Sequence, residues 1–124
     1  MVNESSDRAI TGQSKTPAEI AAAVALLPQE LATYQNGSVV SRTLLKRSGG
    51  TITFFAFDTG QELSEHTAPF DAVAHVLEGE AVITISGKAV HVAAGEMVLM
   101  PANQPHALSA RTRFKMLLTM IRSV

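Results

Sequence analysis

Four histidines are the side chains in this 124-residue sequence best suited to hold a metal ion or a polar ligand: His66, His75, His91 and His106. The sequence contains no cysteine, so it offers neither a thiolate nucleophile nor a cysteine-ligated zinc site. Imidazole is a ligand for first-row transition metals, and it also forms hydrogen bonds with organic molecules. Histidine chemistry is therefore the first hypothesis for this chain.

Two of these histidines lie in segments with a specific spacing of glycine, proline and histidine. The first segment contains Gly60, His66, Ala68, Ala72 and Gly79, and the second contains Gly95, Pro101, Asn103, His106 and Ala110. These segments resemble, in the right order, the two motifs of the cupin superfamily, G-x5-H-x-H-x3-E-x6-G and G-x5-P-x-G-x2-H-x3-N. The resemblance extends over about Val39 to Ile121. It implies an all-β protein with a double-stranded β-helix, or jelly-roll barrel, and a metal site inside the barrel.

The resemblance implies that His66 and His106 are metal ligands. In the family motif two histidines lie two residues apart, so that both point to the same face of a strand. A carboxylate and a histidine from another strand complete a site that suits Fe, Mn, Ni, Cu or Zn. Here Ala68 stands at the second histidine position and Ala72 at the glutamate position, so two of the four ligands are replaced. Asn103 replaces a motif glycine, and asparagine tolerates the positive φ expected there.

His75 is the leading candidate for a third ligand. Because it lies three residues beyond Ala72, a regular strand turns it to the opposite face, and a β-bulge reverses that parity. The alternative is that His75 lies at a packing or dimer interface. Asp71 and Gln61 are weaker candidates, more typical of a turn or rim, and His91 is expected to be exposed on its strand.

A second interpretation of His66 and His106 stays open, in which they are polar groups of a cavity, hydrogen-bonded to backbone or water without a metal. Ala68 and Ala72 remove side-chain volume from that cavity. Large apolar residues are available to line it or to fill the core: Phe54, Phe55, Phe57, Phe70, Met97, Met100, Leu108 and Met116.

The elements that must position these residues are short strands. The composition, 46% hydrophobic and 17% charged with a net charge of -1, is that of one globular domain. Runs rich in Val, Ile, Thr and Phe, separated by glycine-containing turns, predict eight strands. They are Val39–Lys46, Thr51–Phe57, Ala72–Leu77, Ala81–Ser86, Ala89–Val92, Met97–Met100, His106–Ala110 and Phe114–Ile121. No helices are interleaved, which favours a sandwich or barrel.

The N-terminal region has a different pattern. Residues 1–15 are polar and without apolar periodicity, which predicts a flexible tail. Thr16 as N-cap, Pro17 at the first helical position and Glu19 three residues after the cap predict a short helix over Pro17–Leu27. Residues 16–124 are then one cupin-like barrel domain with an N-terminal helix.

The main functional hypothesis is a small cupin protein that binds a metal ion, a small molecule or both inside the barrel. One alternative is a metal-dependent dioxygenase or isomerase-like enzyme, and another is a non-catalytic interaction protein. Neither a catalytic residue nor an organic cofactor is assigned. The small core and the exposed strand edges predict a homodimer through the outward faces of Val39–Leu45 and Phe114–Ile121 and the predicted helix. The near-neutral charge and the absence of a signal or of about 18 consecutive apolar residues predict a cytoplasmic protein without nucleic-acid or membrane partners.

Overall fold

The structure, a computed structural model, describes residues 19–122. The predicted tail, residues 1–15, and the predicted helix cap at Thr16 and Pro17 lie outside this range. The described residues form one short 3-10 helix, Pro28–Glu30, followed by nine strands. The strands are β1 (Val39–Arg47), β2 (Gly50–Phe57), β3 (Glu62–His66), β4 (Phe70–Glu78), β5 (Glu80–Ile85), β6 (Lys88–Ala93), β7 (Met97–Met100), β8 (His106–Ser109) and β9 (Phe114–Arg122).

The strands form two antiparallel sheets. One has five strands in the order β1-β2-β9-β4-β7, and the other has four in the order β3-β8-β5-β6. Buried residues of both sheets, such as Phe57 and Met116 from the first and Ile83 and Leu108 from the second, belong to one hydrophobic cluster. The inner faces of the sheets therefore pack on each other, as in the double-stranded β-helix that the sequence predicted.

All eight predicted strands are present, with ends that differ by a few residues. They are rich in β-branched and aromatic residues that suit a half-buried pleated surface. The additional strand is β3, whose sequence Glu-Leu-Ser-Glu-His contains a single apolar residue, Leu63. The sequence analysis did not predict β3, because it identified strands by their runs of apolar residues and β3 has no such run.

The predicted N-terminal helix over Pro17–Leu27 is wrong for the residues that the structure describes. Residues 19–27 contain no α-helix, and Ala23 has a φ of 61°. The backbone N–H of Ile20 donates to the carbonyl of Leu44 at 3.1 Å, so this segment runs beside strand β1. A short isolated helix is marginal in water. Contacts with the sheet therefore outweigh the local apolar spacing on which the prediction was based.

Residues 19–36, which we call the N-terminal strap, lie against the outer face of the five-stranded sheet. Tyr34 donates its hydroxyl hydrogen to Glu78 at 2.6 Å, and its ring lies 5.0 Å from the guanidinium of Arg113 and 4.9 Å from the ammonium of Lys115. Lys115 also donates to the carbonyl of Gln29 at 2.7 Å. Burial, followed by the hydrogen bond to Glu78, raises the pKa of Tyr34 well above its usual range. These contacts attach the strap to strands β4 and β9.

A second group of polar contacts attaches the C-terminal end of the strap to the barrel. Arg113 donates from Nε to Asp58 at 2.8 Å and from a terminal nitrogen to Asn36 at 2.9 Å. The backbone N–H of Gly37 donates to the other carboxylate oxygen of Asp58 at 2.7 Å. The bond from Arg113, and after it the bond from Gly37, lower the pKa of Asp58. The carboxylate thus joins the strap turn to the start of β9.

Within residues 19–122, no helix has the length and apolar character needed to cross a membrane.

Candidate functional site

His66 lies at the rim of the barrel, exposed to solvent but turned toward the buried His106, because strand β3 contains a β-bulge. Leu63 pairs with Leu108 and His66 pairs with His106, so β3 has one residue more than β8 between these two pairs. Successive strand residues point to opposite faces, and an extra residue reverses that alternation. The bulge therefore places His66 on the same face as Leu63, which packs against the core.

The imidazole rings of His66 and His106 contact each other edge to face, with centroids 4.4 Å apart and planes inclined by 68°. In each ring Nδ1 approaches the backbone carbonyl two residues earlier, at 2.8 Å for Ser64 and 3.2 Å for Gln104. A carbonyl oxygen can only accept a hydrogen bond, so Nδ1 carries the hydrogen in both rings. In a neutral ring the lone pair is then on Nε2, the atom left to bind a metal or accept a hydrogen bond.

The pair lies toward an end of the barrel where the interior is partly open to solvent. Along β9, Met116 is fully buried, whereas Met120, which points to the same side, is partly exposed. Along β5, Ile83 is fully buried, whereas Ile85, the register partner of His106, is partly exposed. A small molecule could therefore reach the two rings from this end without passing through the closed core.

The two alanines of the first motif leave methyl groups where the resemblance implies ligands. Ala72 is 5% exposed and lies between Met100 on β7 and Met120 on β9. Ala68 is half-buried in the loop between β3 and β4. At this level the inner face of the five-stranded sheet is mainly apolar, with Thr51 beside Met120 as a polar residue whose buried hydroxyl has no hydrogen-bond partner.

The loop before β8 is fixed by the backbone conformation that the sequence predicted for Asn103. This residue has a φ of 64°, which confirms the expected left-handed conformation, and its N–H donates to the carbonyl of Ala68 at 2.8 Å. Asp71 accepts a hydrogen bond from the N–H of Ala102 at 2.9 Å in the same loop. Asp71 thus stabilises the loop that leads to His106.

The structure does not bring His75 to the pair. Ala72 and Ala74 are buried inside the barrel, and the register of β4 with β7 is regular from Ala72 to His75, with no bulge between them. His75 therefore points to the outer face, between Met97 on β7 and Leu117 on β9.

The two remaining candidates also lie apart from the pair. His91 is exposed on β6 with its Nδ1 3.6 Å from the carboxylate of Glu80. Gln61 is held by its backbone in the loop before β3, where its N–H donates to Asp58 and its carbonyl accepts from Ala110. Neither residue extends the donor set of His66 and His106.

The donor set of the barrel fits a metal ion in part. His66 and His106 present two imidazole nitrogens, the kind of ligand that Zn, Fe, Ni and Cu accept. Within residues 19–122, no group of three or more His, Cys, Asp or Glu side chains is placed to hold a metal ion. A metal ion bound there would have two protein ligands, and its remaining coordination positions would belong to water or to a bound molecule.

Comparison with models of protein families matches residues 53–122, more than half of the chain, to the cupin domain. The chain belongs to the cupin family. This cupin is also similar to solved structures, among them a conserved protein of unknown function from Streptococcus pyogenes. The two are 36% identical with a TM-score of 0.81, over 90% of this chain and 97% of that chain. The search of curated proteins found no match.

Two further cupin structures show the same fold. A cupin 2 conserved barrel domain protein from Leptotrichia buccalis is 38% identical with a TM-score of 0.74, over 76% of this chain. This cupin spans 46% of the length of that protein. A cupin superfamily protein from Desulfitobacterium hafniense is 25% identical with a TM-score of 0.77, over 89% of this chain and 100% of that chain. The three names state no activity, so the comparison establishes family and fold.

Sequence reasoning named both histidines of the pair but missed the bulge that brings His66 to His106, and it missed Ile85 as a neighbour of the pair. The signal for the bulge is that β3 is only five residues long and has two polar residues, Ser64 and Glu65, between Leu63 and His66. In a regular strand these spacings would place Leu63 and His66 on opposite faces. If both side chains must face the same side of the sheet, the strand needs one extra residue between them, which is a β-bulge.

Proposed function

We propose that this cupin binds a small molecule in the barrel interior, in contact with His66 and His106. The observation that carries the proposal is the contact between the two rings, whose Nδ1 atoms both hydrogen-bond to backbone carbonyls. The rings are held in place by those bonds and keep Nε2 for a ligand. Small-molecule sites combine an apolar wall with a few fixed polar groups. The partly open end of this barrel has that composition.

The polar end of such a molecule would contact the imidazoles, and its apolar part would contact the opposite sheet. Ala72, Met100 and Met120 supply the apolar surface there. A protonated imidazole donates from both nitrogens, so a ring in that state can donate from Nε2 to a carboxylate. A small organic acid with an apolar ring, such as benzoate, therefore combines the features that the two walls can recognise.

A divalent metal such as Zn, Fe, Mn, Ni or Cu would be held by the same two histidines. It would act as a Lewis acid that polarises a bound oxygen ligand. With only two protein ligands, its affinity would depend on the molecule that fills the other coordination positions. His66 and His106 are thus the residues to change in either case, with or without a metal.

The first test is the metal content of the untagged protein, purified without chelators, together with titration of Ni²⁺ by calorimetry. We expect His66→Ala and His106→Ala to abolish Ni²⁺ binding. The matched control is His91→Ala, because His91 is an exposed histidine on the outer face of β6 and its loss should leave binding unchanged. Near-stoichiometric metal in the wild type would justify assays for dioxygenase and isomerase activity.

The second test uses benzoate and NMR spectroscopy of the same four proteins. We expect benzoate to shift the resonances of residues on the inner faces of β3, β8 and β9, and to do so more weakly in both barrel variants than in His91→Ala. The proposal is wrong if neither Ni²⁺ nor benzoate binds the wild type. It is also wrong if His106→Ala, with its fold intact, binds both probes as the wild type does.

A further inference from the structure

Two methionines lie beside Ala72 on the inner face of the five-stranded sheet. The strand register pairs Ala72 with Met100 on β7 and with Met120 on β9. Met100 is 1% exposed and belongs to the hydrophobic cluster, and the partly exposed Met120 packs against that cluster. Because the side chain of Ala72 is a single methyl group, it leaves room between the two longer thioether side chains.

The connections between strands place these methionines at the same end of the barrel as the histidine pair. Met100 ends β7 and His106 begins β8, with a five-residue loop between them. His66 ends β3, and a three-residue loop leads from it to β4, in which Ala72 is the third residue. A hydrogen bond of 2.8 Å joins the backbones of these two loops. Two imidazoles from one sheet and two thioethers from the other are therefore grouped at the open end.

The four side chains differ in chemistry from the cupin motif, which combines imidazoles with a carboxylate. Thioether sulfur is a soft and polarisable donor without charge. Soft donors of this kind favour Cu(I), and imidazole is also a ligand for copper. Two imidazole nitrogens and two thioether sulfurs thus form a set of neutral donors that suits monovalent copper.

The surroundings of the histidine pair also favour an ion of low charge. Within the described part of the chain, no Asp or Glu joins His66 and His106 in a group of metal-binding side chains. An ion at this place would therefore keep its whole charge beside an apolar wall. The cost of taking an ion out of water rises with the square of its charge, so it is about four times larger for a divalent ion than for a monovalent ion of equal size.

We infer, on the basis of the proposed function, that the open end of the barrel is a Cu(I) site with four ligands: His66, His106, Met100 and Met120. The two histidines are those of the proposed ligand site, and the methionines supply the side of it on which the cupin motif has a glutamate. Binding of the monovalent ion involves no electron transfer.

Two other methionines of the described residues serve as controls. Met97 is 61% exposed and lies on the outer face of β7. Met116 is fully buried on the inner face of β9, four residues farther from the open end than Met120. Neither of them lies beside Ala72, so neither should contribute to Cu(I) binding.

The test is an anaerobic titration of Cu(I) in competition with bicinchoninate, a chelator that absorbs light when it binds Cu(I). The wild type should bind one Cu(I) per chain. Met100→Leu and Met120→Leu keep the apolar character and nearly the volume of the side chain but remove the sulfur, so each should weaken Cu(I) binding at least tenfold. Met97→Leu is the matched control and should bind Cu(I) as the wild type does.

A parallel titration with Ni²⁺ separates the loss of a ligand from a distortion of the barrel. The removal of sulfur should leave the affinity for Ni²⁺ unchanged in all three variants, because Ni²⁺ is bound by imidazole and does not favour thioethers. A distorted barrel would instead weaken the binding of both metals.

A second measurement needs no substitution. Ag⁺ is a soft monovalent ion that stands in for Cu(I) and is not readily oxidised. One equivalent of Ag⁺ should shift the ε-methyl NMR signals of Met100 and Met120, and it should leave those of Met97 and Met116 in place.

The copper site is ruled out if the wild type fails to bind Cu(I), or if the double variant Met100→Leu/Met120→Leu binds it as tightly as the wild type. If the wild type then still binds Ni²⁺ or benzoate through the histidines, the proposed function stands and only the copper site is wrong. If it binds none of the three probes, both are wrong.

Discussion

At the scale of single residues, Ala72 accounts for the largest difference between this chain and the cupin motif that it resembles. Its methyl group is buried on the inner face of β4, where the motif has a glutamate. The two histidines of the other sheet therefore meet an apolar wall where the motif places a charge-balancing carboxylate. Together with Ala68 at the second histidine position, this alanine would limit how strongly the barrel could hold a cation.

We predict that Ala72→Glu raises the affinity for Ni²⁺ by about tenfold or more, because a carboxylate is added to a two-imidazole donor set. Without metal, the buried carboxylate should lower the free energy of unfolding by about 1–3 kcal/mol. Calorimetric titration and urea unfolding measure the two effects.

Ala74→Glu is the control for this prediction. Ala74 is fully buried on the same face of the same strand, two residues nearer the closed end. The Ala74→Glu variant should lose a similar amount of stability without gaining affinity for Ni²⁺. An equal affinity for Ni²⁺ in both variants would show that Ala72 does not face the histidines.

Sequence spacing that matched a known pattern singled out the two histidines that the structure brings into contact, whose role as a site stays a prediction. His66, His106 and the positive φ of Asn103 were found in this way. The position of His75 was undecided because it depends on whether β4 contains a bulge, and a bulge arises from strand pairing that no local pattern encodes. The structure has its bulge in β3 rather than between Ala72 and His75 of β4, and this bulge turns His66 toward His106.

At the scale of elements, the loop after β2 and the start of β9 are joined by the carboxylate of Asp58. Its hydrogen bonds with Arg113 and Gly37 hold its pKa below the ordinary value of 3.8. A carboxyl group with a lower pKa in the folded state stabilises the fold at pH values above its unfolded pKa. That contribution is lost as the pH falls through the folded value.

We therefore predict that Asp58→Asn lowers the free energy of unfolding at pH 7 and that its difference from the wild type shrinks as the pH falls below about 4. Urea unfolding across this pH range measures the effect. Glu65→Gln, at an exposed position on β3, is the control and should differ little from the wild type throughout. A difference between Asp58→Asn and the wild type that stays constant down to pH 2 would contradict the assignment.

The elements themselves were predictable where local composition and tertiary contacts agree. Strands with alternating or continuous apolar residues, such as β2 and β9, were found almost to the residue. The strap was misassigned because the spacing of Ile20, Val24 and Leu27 suits a helix as well as an extended segment that contacts a sheet. Only the position of β1, which is distant in sequence, decides between them.

At the scale of the whole molecule, the homodimer predicted from the sequence would make stability depend on protein concentration. A dimer that dissociates on unfolding has a melting temperature that rises with concentration. We predict this rise for the wild type, measured by calorimetry at several concentrations. It should be absent in Leu99→Glu, which puts a charge on the outer face of the five-stranded sheet, and present in Ala89→Glu, which puts the same charge at an exposed position on β6 of the other sheet. A wild-type melting temperature that is independent of concentration would contradict the pairing.

The hydrogen bond between Ile20 and Leu44 also covers part of an open sheet edge. β1 is a nine-residue strand at the edge of its sheet, and an open edge of that length is a template onto which the strand of another molecule can add. The strap takes up two groups of β1, because Ile20 donates to the carbonyl of Leu44 and Glu19 accepts from the N–H of Lys46. The extended segment that stands where a helix was predicted thus leaves fewer backbone groups of β1 open to pairing with another molecule.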